Sequence, residues 1–473
     1  MKILFASSEA VPFIKSGGLA DVAGSLTAAL RKRMHACRVV MPLYDNIPQE
    51  YKDKMKLIAS FYVPLSWRSQ YCGVFEATHD GVKFYFIDNE YYFKRHGLYG
   101  FFDDAERFGF FSKALLEMIQ HIGWEPEIIH CNDWQTGLVP VYLNVFYRHL
   151  DAYKNIRTVF MIHNIQYQGK YALSVVRDVL GLTDSAVEVA EYDGDCNFMK
   201  AGIDQCDMLT TVSPTYAAEI LNPWFSYGLD NVLGYHSDKL SGILNGIDTS
   251  LYNSETDPRI AKAFSADDLS GKAQCKSALQ KSLGLEENPD AMIIAMVTRL
   301  VAPKGIDLVC EVFSKIMEMN TQFVMLGSGD WQYEKFFRET AISYPGRISV
   351  TIGFDVPLSH NIYSGADVFL MPSRSEPCGL SQIISLRYGT LPIVRITGGL
   401  NDSIREFGAE GGGNGYNFPN IDSQDMLNAI VRAYTDFRDK DGWQDKMKAA
   451  MACDFGWKKS AGEYIKMYKK LLG

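Results

Sequence analysis

The chain has 473 residues, which at about 150 residues per domain points to two or three domains. Hydrophobic residues make up 47% and charged residues 22%, the balance of a folded globular protein, so disorder as the dominant state is excluded. Lys and Arg number 47 against 56 Asp and Glu, a formal net charge of -9; this argues against a general nucleic-acid binder and requires any phosphate site to be built from locally convergent cations.

Nine cysteines, an odd number with no CxxC pair, read as reduced thiols of a cytoplasmic protein. The N-terminus, MKILFASSEA, turns polar too soon for a signal peptide. No apolar run approaches the roughly 18 residues of a membrane span. The expectation is a soluble protein with no membrane partner.

In chain order, a short apolar strand is predicted at Ile3–Ala6. A helix follows, in which Leu19, Val22, Ala23, Leu26, Ala29 and Leu30 form one apolar stripe. Strands are predicted at Arg38–Met41, Glu127–His130, Thr158–Ile162 and Met208–Val212, with helices near Trp134–Tyr147 and from Pro214. After Asn245-Gly246 the pattern restarts. Strands fit Met292–Val297, Gln322–Leu326, Ile348–Thr351, Val368–Met371 and Pro392–Val394, and a helix fits Gly305–Met319. Such alternation predicts parallel sheets covered by helices on both faces. The polar stretch Ser254–Glu287 precedes the second series, so two doubly wound α/β domains are expected, residues 1–248 and 249–473. The final segment, Trp443–Leu472, reads as helical and is expected to pack back across the hinge. Ligands of such sheets sit at the carboxyl ends of strands, which makes an interdomain cleft the expected site.

Three strand-to-helix loops carry the candidate chemistry. The first reads Lys15-Ser16-Gly17-Gly18: glycines allow close backbone approach, and free N–H groups at a helix start favour an anion. A plain tight turn beside a surface lysine is the alternative. The second, Thr298 to Gly305, holds Arg299 and Lys304 where both could reach a diphosphate; either could instead pair with a surface carboxylate. The third is Pro372-Ser373-Arg374-Ser375-Glu376-Pro377-Cys378-Gly379-Leu380-Ser381-Gln382. Here the amides of Gly379 and Leu380 could meet an anion, and Glu376 could reach sugar hydroxyls or merely cap the next helix. Cys378 has no evident histidine partner and reads as a small buried residue.

The segments KSGGLADVAGSL, HCNDWQTGL, IHNIQYQGKY, TTVSPTYAAEI, GILNGID, TRLVAPKGIDL, PSRSEPCGLSQ and YGTLPIVRITGGLND occur in an order that resembles bacterial glycogen synthases and plant starch synthases. The resemblance spans essentially the whole chain. It implies a GT-B fold, two Rossmann-like domains around a cleft, and retaining transfer of glucose from a nucleotide sugar to the 4-hydroxyl of an α-1,4-glucan without a metal or other cofactor. The implied partners are therefore a nucleotide-glucose donor, ADP-glucose or UDP-glucose, and a glycogen-type acceptor, with no nucleic acid.

Carried over residue by residue, the resemblance places Lys15, Gly17 and Gly18 in the donor loop. Arg299 and Lys304 fall at positions that bind the diphosphate and help it leave. Asp133 and His163 match residues facing the glucosyl ring, and His163 is a candidate for steering a sugar hydroxyl; a satisfied histidine at a strand end is its plainer reading. Asn245 lies at the crossing into the second domain, where the family contacts the sugar. Glu376 matches a glucose-binding carboxylate, and Gly379, Leu380 and Ser381 the turn around phosphate and sugar. Departures from the family pattern are Met34 for Gly, Asn132 for a frequent His, Pro303 for Gln, and Ser375 for Phe. Ile384 stands where related retaining transferases often carry a second carboxylate, which favours the starch and glycogen synthase branch. Competing readings are the same transfer from UDP-glucose, sucrose-type synthesis, and a catalytically silent glucan binder. A dehydrogenase is disfavoured because no GxGxxG follows a strand with an acidic residue about 20 positions on.

Overall fold

The computed structural model describes residues 1–183, 186–410 and 412–473. Its contacts divide the chain into two compact units, Met1–Gly246 with Trp457–Gly473, and Ile247–Gly456.

The first unit is built on a nine-stranded sheet. Across it the strands run Leu240–Gly242, Met208–Thr211, Arg157–Ile162, Ile128–Asn132, Lys2–Ala6, Ala36–Pro42, Val82–Asp88, Arg68–His79 and Lys56–Leu65. The first seven pair parallel, and the last two add as an antiparallel hairpin. The sheet is therefore mixed, where a parallel one was expected. The central strands read as they should for burial on both faces: all five residues of Ile128–Asn132 are buried.

The helix Gly18–Lys32 buries Leu19, Val22, Ala23, Leu26 and Leu30. It ends in a Schellman pattern, with the Met34 N–H on the Arg31 carbonyl and the His35 N–H on that of Leu30. Met34 takes the left-handed conformation at φ 66°, which explains why a glycine is usual there. The segment Trp134–Tyr147 is helical in three pieces, a 3₁₀ turn at Trp134–Thr136, an α turn at Leu138–Tyr142 and a π turn at Leu143–Tyr147.

The second unit has a six-stranded, all-parallel sheet in the order Ile348–Ile352, Thr321–Gly327, Met292–Val297, Val368–Met371, Leu391–Arg395, Tyr416–Phe418. Numbered along the chain, that is the 3-2-1-4-5-6 order of a Rossmann sheet. Met292, Ile294 and Met296 enter one core while Ile293 and Ala295 enter the other, the period-two alternation of a strand covered on both faces.

The division departs from the sequence-based one in two places. It falls after Gly246 rather than 248, and the helix Trp457–Leu472 belongs with the first unit instead of the second. Packing is the reason. The Tyr468 hydroxyl lies 2.7 Å from His130 Nδ1, the Arg33 guanidinium donates to the Lys458 carbonyl at 2.7 Å, and the Ser460 hydroxyl to that of Leu244 at 2.6 Å. The helix Lys440–Met451 instead buries Trp443, Met447 and Ala450 in the second unit's core. Among the described residues no helix is long and apolar enough to cross a membrane.

Candidate active site

In a doubly wound sheet the ligand crevice opens where strand order reverses. In the first unit that point lies between Lys2–Ala6 and Ile128–Asn132, with Arg157–Ile162 next. The loops leaving these strands carry Lys15, Gly17, Gly18, Asp133 and His163. In the second unit it lies between Met292–Val297 and Val368–Met371, whose loops carry Arg299, Lys304, Glu376, Gly379, Leu380 and Ser381. Ten of the twelve predicted residues thus fall at a switch point, and His163 leaves the strand beside one. Asn245 lies at the end of the first unit, 5% exposed, and its Oδ1 is buried without a hydrogen-bond partner.

The glycine loop already holds a carboxyl group of its own. Glu9, 3% exposed, accepts the Ser16 N–H and, at 3.0 Å, the Ser16 hydroxyl. Burial pushes its carboxyl above the usual range against those hydrogen bonds. Lys15 pairs with Asp21 at 2.7 Å. Gly17 caps the helix from an extended conformation, and a Cβ there would meet nothing within 4 Å. The loop is therefore open on the Gly17 side and charge-neutralised on the Lys15 side.

Asp133 occupies an unusual backbone conformation, φ 54° and ψ -178°, a region that costs a non-glycine residue roughly 1–3 kcal/mol. Its Oδ1 accepts the His163 N–H at 2.7 Å and the Asn164 N–H at 3.4 Å. Burial raises its carboxyl to about 7 despite those two amides. The His163 ring is held neutral, its pKa lowered to about 3 by burial. Nε2 of this ring lies 2.8 Å from Asn132 Oδ1.

In the second unit, Lys304 Nζ sits 2.5 Å from Glu376 Oε2, and the Ser373 hydroxyl donates to the same oxygen at 3.0 Å. Glu376 therefore does not cap the helix Ser381–Arg387, whose N-cap is Leu380 with no side-chain bond. The two loops meet backbone to backbone. The Arg374 N–H donates to the Pro303 carbonyl at 2.8 Å, and a Cβ on Gly305, at φ +67°, would lie 2.0 Å from the Pro372 oxygen. Arg374 also pairs with Asp307 in the first turn of the helix Ile306–Glu318. Gly379 supplies φ +70° before that N-cap, and the Ser381 hydroxyl accepts from Tyr363 at 3.0 Å. Arg299 is exposed at the head of its loop, and Cys378 is buried.

Several residues escaped the sequence reading. Glu9 fills the glycine loop, Ser373 orients Glu376, and Arg395 donates to the Ser373 carbonyl at 2.7 Å and that of Arg374 at 2.6 Å. The one signal in the sequence was placement: each lies at or just past the carboxyl end of a parallel strand. Among the aromatic residues, Tyr92 is core and Tyr99 bonds Ser8 at 2.8 Å, while Tyr91 and Trp224 are 65% and 77% exposed.

Comparison with known proteins identifies the assembly. Residues 2–235 match the family model for the starch synthase catalytic domain, and residues 280–448 that for glycosyl transferases group 1. The chain is 50% identical to the glycogen synthase of Bacillus anthracis, covering 100% of both. It is 49% identical to that of Geobacillus stearothermophilus, covering 100% of this chain and 98% of the relative. The catalytic domain of starch synthase IV from Arabidopsis thaliana, bound to ADP and acarbose, matches with a TM-score of 0.92 at 32% identity, over 100% of this chain and 99% of that one. Sucrose-phosphate synthase from Thermosynechococcus elongatus matches at 0.62 and 18% identity, over 99% of this chain and 98% of that one, a likeness of fold alone. The fold is GT-B, with two Rossmann-like α/β domains. On full-length identity at this level, the chain belongs to the glycogen synthase and starch synthase family of glycosyltransferases.

Proposed function

We propose that this glucosyltransferase elongates an α-1,4-glucan, adding glucose from ADP-glucose to the non-reducing-end 4-hydroxyl with retention and without a metal, in the cytoplasm. The observation that carries the adenine donor is the starch synthase IV catalytic domain, which has ADP bound and matches the chain over its whole length.

Breaking the bond between glucose and diphosphate develops negative charge on the leaving group and positive charge on the sugar. Fixed cations stabilise the first. Lys304 and Arg299 take this role on one loop, and Lys15 with the Gly17 and Gly18 amides on another. The Gly379–Leu380 amides and Ser381 add donors at a helix start. Asp133, Glu376 and the buried Asn245 oxygen face the sugar, and His163 steers one of its hydroxyls. Ile384 is buried and is no carboxylate, so Glu376 lacks the partner eight positions on that a double displacement through two flanking carboxylates would use there, which favours displacement on one face.

The test is ADP release from ADP-glucose in the presence of glycogen, with the product digested to report its linkage. Lys304→Ala and Glu376→Ala should each lose most of the rate. Undiminished turnover in both variants would remove them from the mechanism.

A further inference from the structure

Asn132 closes the strand Ile128–Asn132 and is fully buried. Its side-chain amide has only one workable orientation. Nδ2 donates to the Ala6 carbonyl at 2.8 Å and to that of His130 at 3.3 Å. Turning the amide over would set its oxygen against two carbonyl oxygens in a buried place, which the lost hydrogen bonds make costly. The backbone is equally fixed, because the Asn132 N–H donates to Thr136 Oγ1 at 2.6 Å. Oδ1 is left as the group that meets His163 Nε2 at 2.8 Å.

An amide oxygen can only accept, so the ring nitrogen facing it must carry the proton. We infer that Asn132 is a positioning residue that locks His163 in the Nε2–H tautomer and so presents Nδ1 as a hydrogen-bond acceptor. Because the ring is held neutral by burial, a single proton is shared between two nitrogens, and the choice of tautomer decides the polarity of the exposed edge. His163 then receives a hydrogen bond from a sugar hydroxyl rather than giving one. The residue is held at two points, its ring by Asn132 at Nε2 and its backbone N–H by Asp133 Oδ1 at 2.7 Å. The functional half of this inference rests on the proposal that His163 faces the transferred glucose.

The test uses full-length enzyme with ¹⁵N-labelled histidine rings, the His163 signals being assigned by their loss in His163→Gln. The expected spectrum has a protonated Nε2 and an unprotonated Nδ1. Asn132→Leu, which removes the acceptor at similar volume, should lose that pattern. Its kcat should fall at least about tenfold, with donor KM moving less than about twofold. Asn132→His, the residue frequent at this place in the family, can donate from one nitrogen and accept on the other, and should restore both tautomer and kcat. A protonated Nδ1 in the wild-type enzyme overturns the inference, as does an Asn132→Leu enzyme with wild-type spectrum and rate. Should Asn132→Leu not fold, the wild-type and Asn132→His spectra decide. Full activity in His163→Gln would overturn the placement of His163 at the sugar, a failure separate from a wrong tautomer.

Discussion

Lys304 Nζ and Glu376 Oε2 lie 2.5 Å apart, joining loops that leave two neighbouring strands. The cation proposed for the diphosphate and the carboxylate proposed for the sugar are thus paired with each other. A donor must draw Lys304 toward phosphate and leave Glu376 for hydroxyls, so binding and pair-breaking are coupled.

Glu376→Gln should separate the two effects. Without the carboxylate, Lys304 no longer has an anion to leave, and ADP should bind more tightly by up to about 1 kcal/mol, about fivefold in Kd. Turnover should fall because the sugar contact is lost. Calorimetry for ADP and a steady-state kcat measure both; weaker ADP binding would mean that Glu376 helps hold the nucleotide instead.

Asp133 should make both rate and stability depend on pH near neutrality. Its carboxyl is raised from the usual 3.8 to about 7, so the folded protein holds a proton that the unfolded chain releases. This contribution to stability is complete below about pH 4 and is lost as pH rises through about 7. The rate should move the opposite way, rising through the same range as the carboxylate forms beneath the developing positive charge. Asp133→Asn should flatten both profiles. A wild-type enzyme with flat Tm and kcat between pH 5 and pH 8 would contradict this, within a window set by the raised value.

Gly305 packs tightly against the backbone of Pro372 in the neighbouring loop. Gly305→Ala adds left-handed strain at φ +67° and a Cβ 2.0 Å from the Pro372 oxygen, together about 2–3 kcal/mol. The loops must part to accept it, so donor KM should rise along with the fall in Tm. An unchanged Tm would show that the loops separate freely.

Met34 offers the reverse case. It is 87% exposed, and glycine at its left-handed position should raise stability by about 1 kcal/mol without altering kcat. Thermal unfolding of Met34→Gly checks the sign.

The parallel strands were legible because burial on both faces leaves an unbroken apolar run. Met292–Val297 was expected over the same residues that form it, and Gly18–Lys32 declared itself by its apolar stripe. The hairpin Lys56–His79 was not legible. Its edge strand exposes Leu57, Ile58 and Tyr62 and slips register between Leu57 and Ala59, so no clean alternation survives. The break between Met451 and Trp457 was likewise hidden inside what read as one helical segment. At the site, motifs disclosed the residues that lie together in sequence. Glu9 and Arg395 act across a fold-back and across two loops, on Ser16 and on the carbonyls of Ser373 and Arg374. No local pattern records such contacts.

Glucosyl transfer from an adenine nucleotide donor is the proposed reaction. The most direct measurement is kcat/KM for ADP-glucose and UDP-glucose side by side, with glycogen as acceptor and the full-length enzyme. Efficient elongation with ADP-glucose is expected, with at least about a tenfold preference over UDP-glucose, about 1.4 kcal/mol in transition-state binding. Elongation from UDP-glucose alone would contradict the donor assignment, and glucan binding without elongation from either donor would contradict the proposed activity itself.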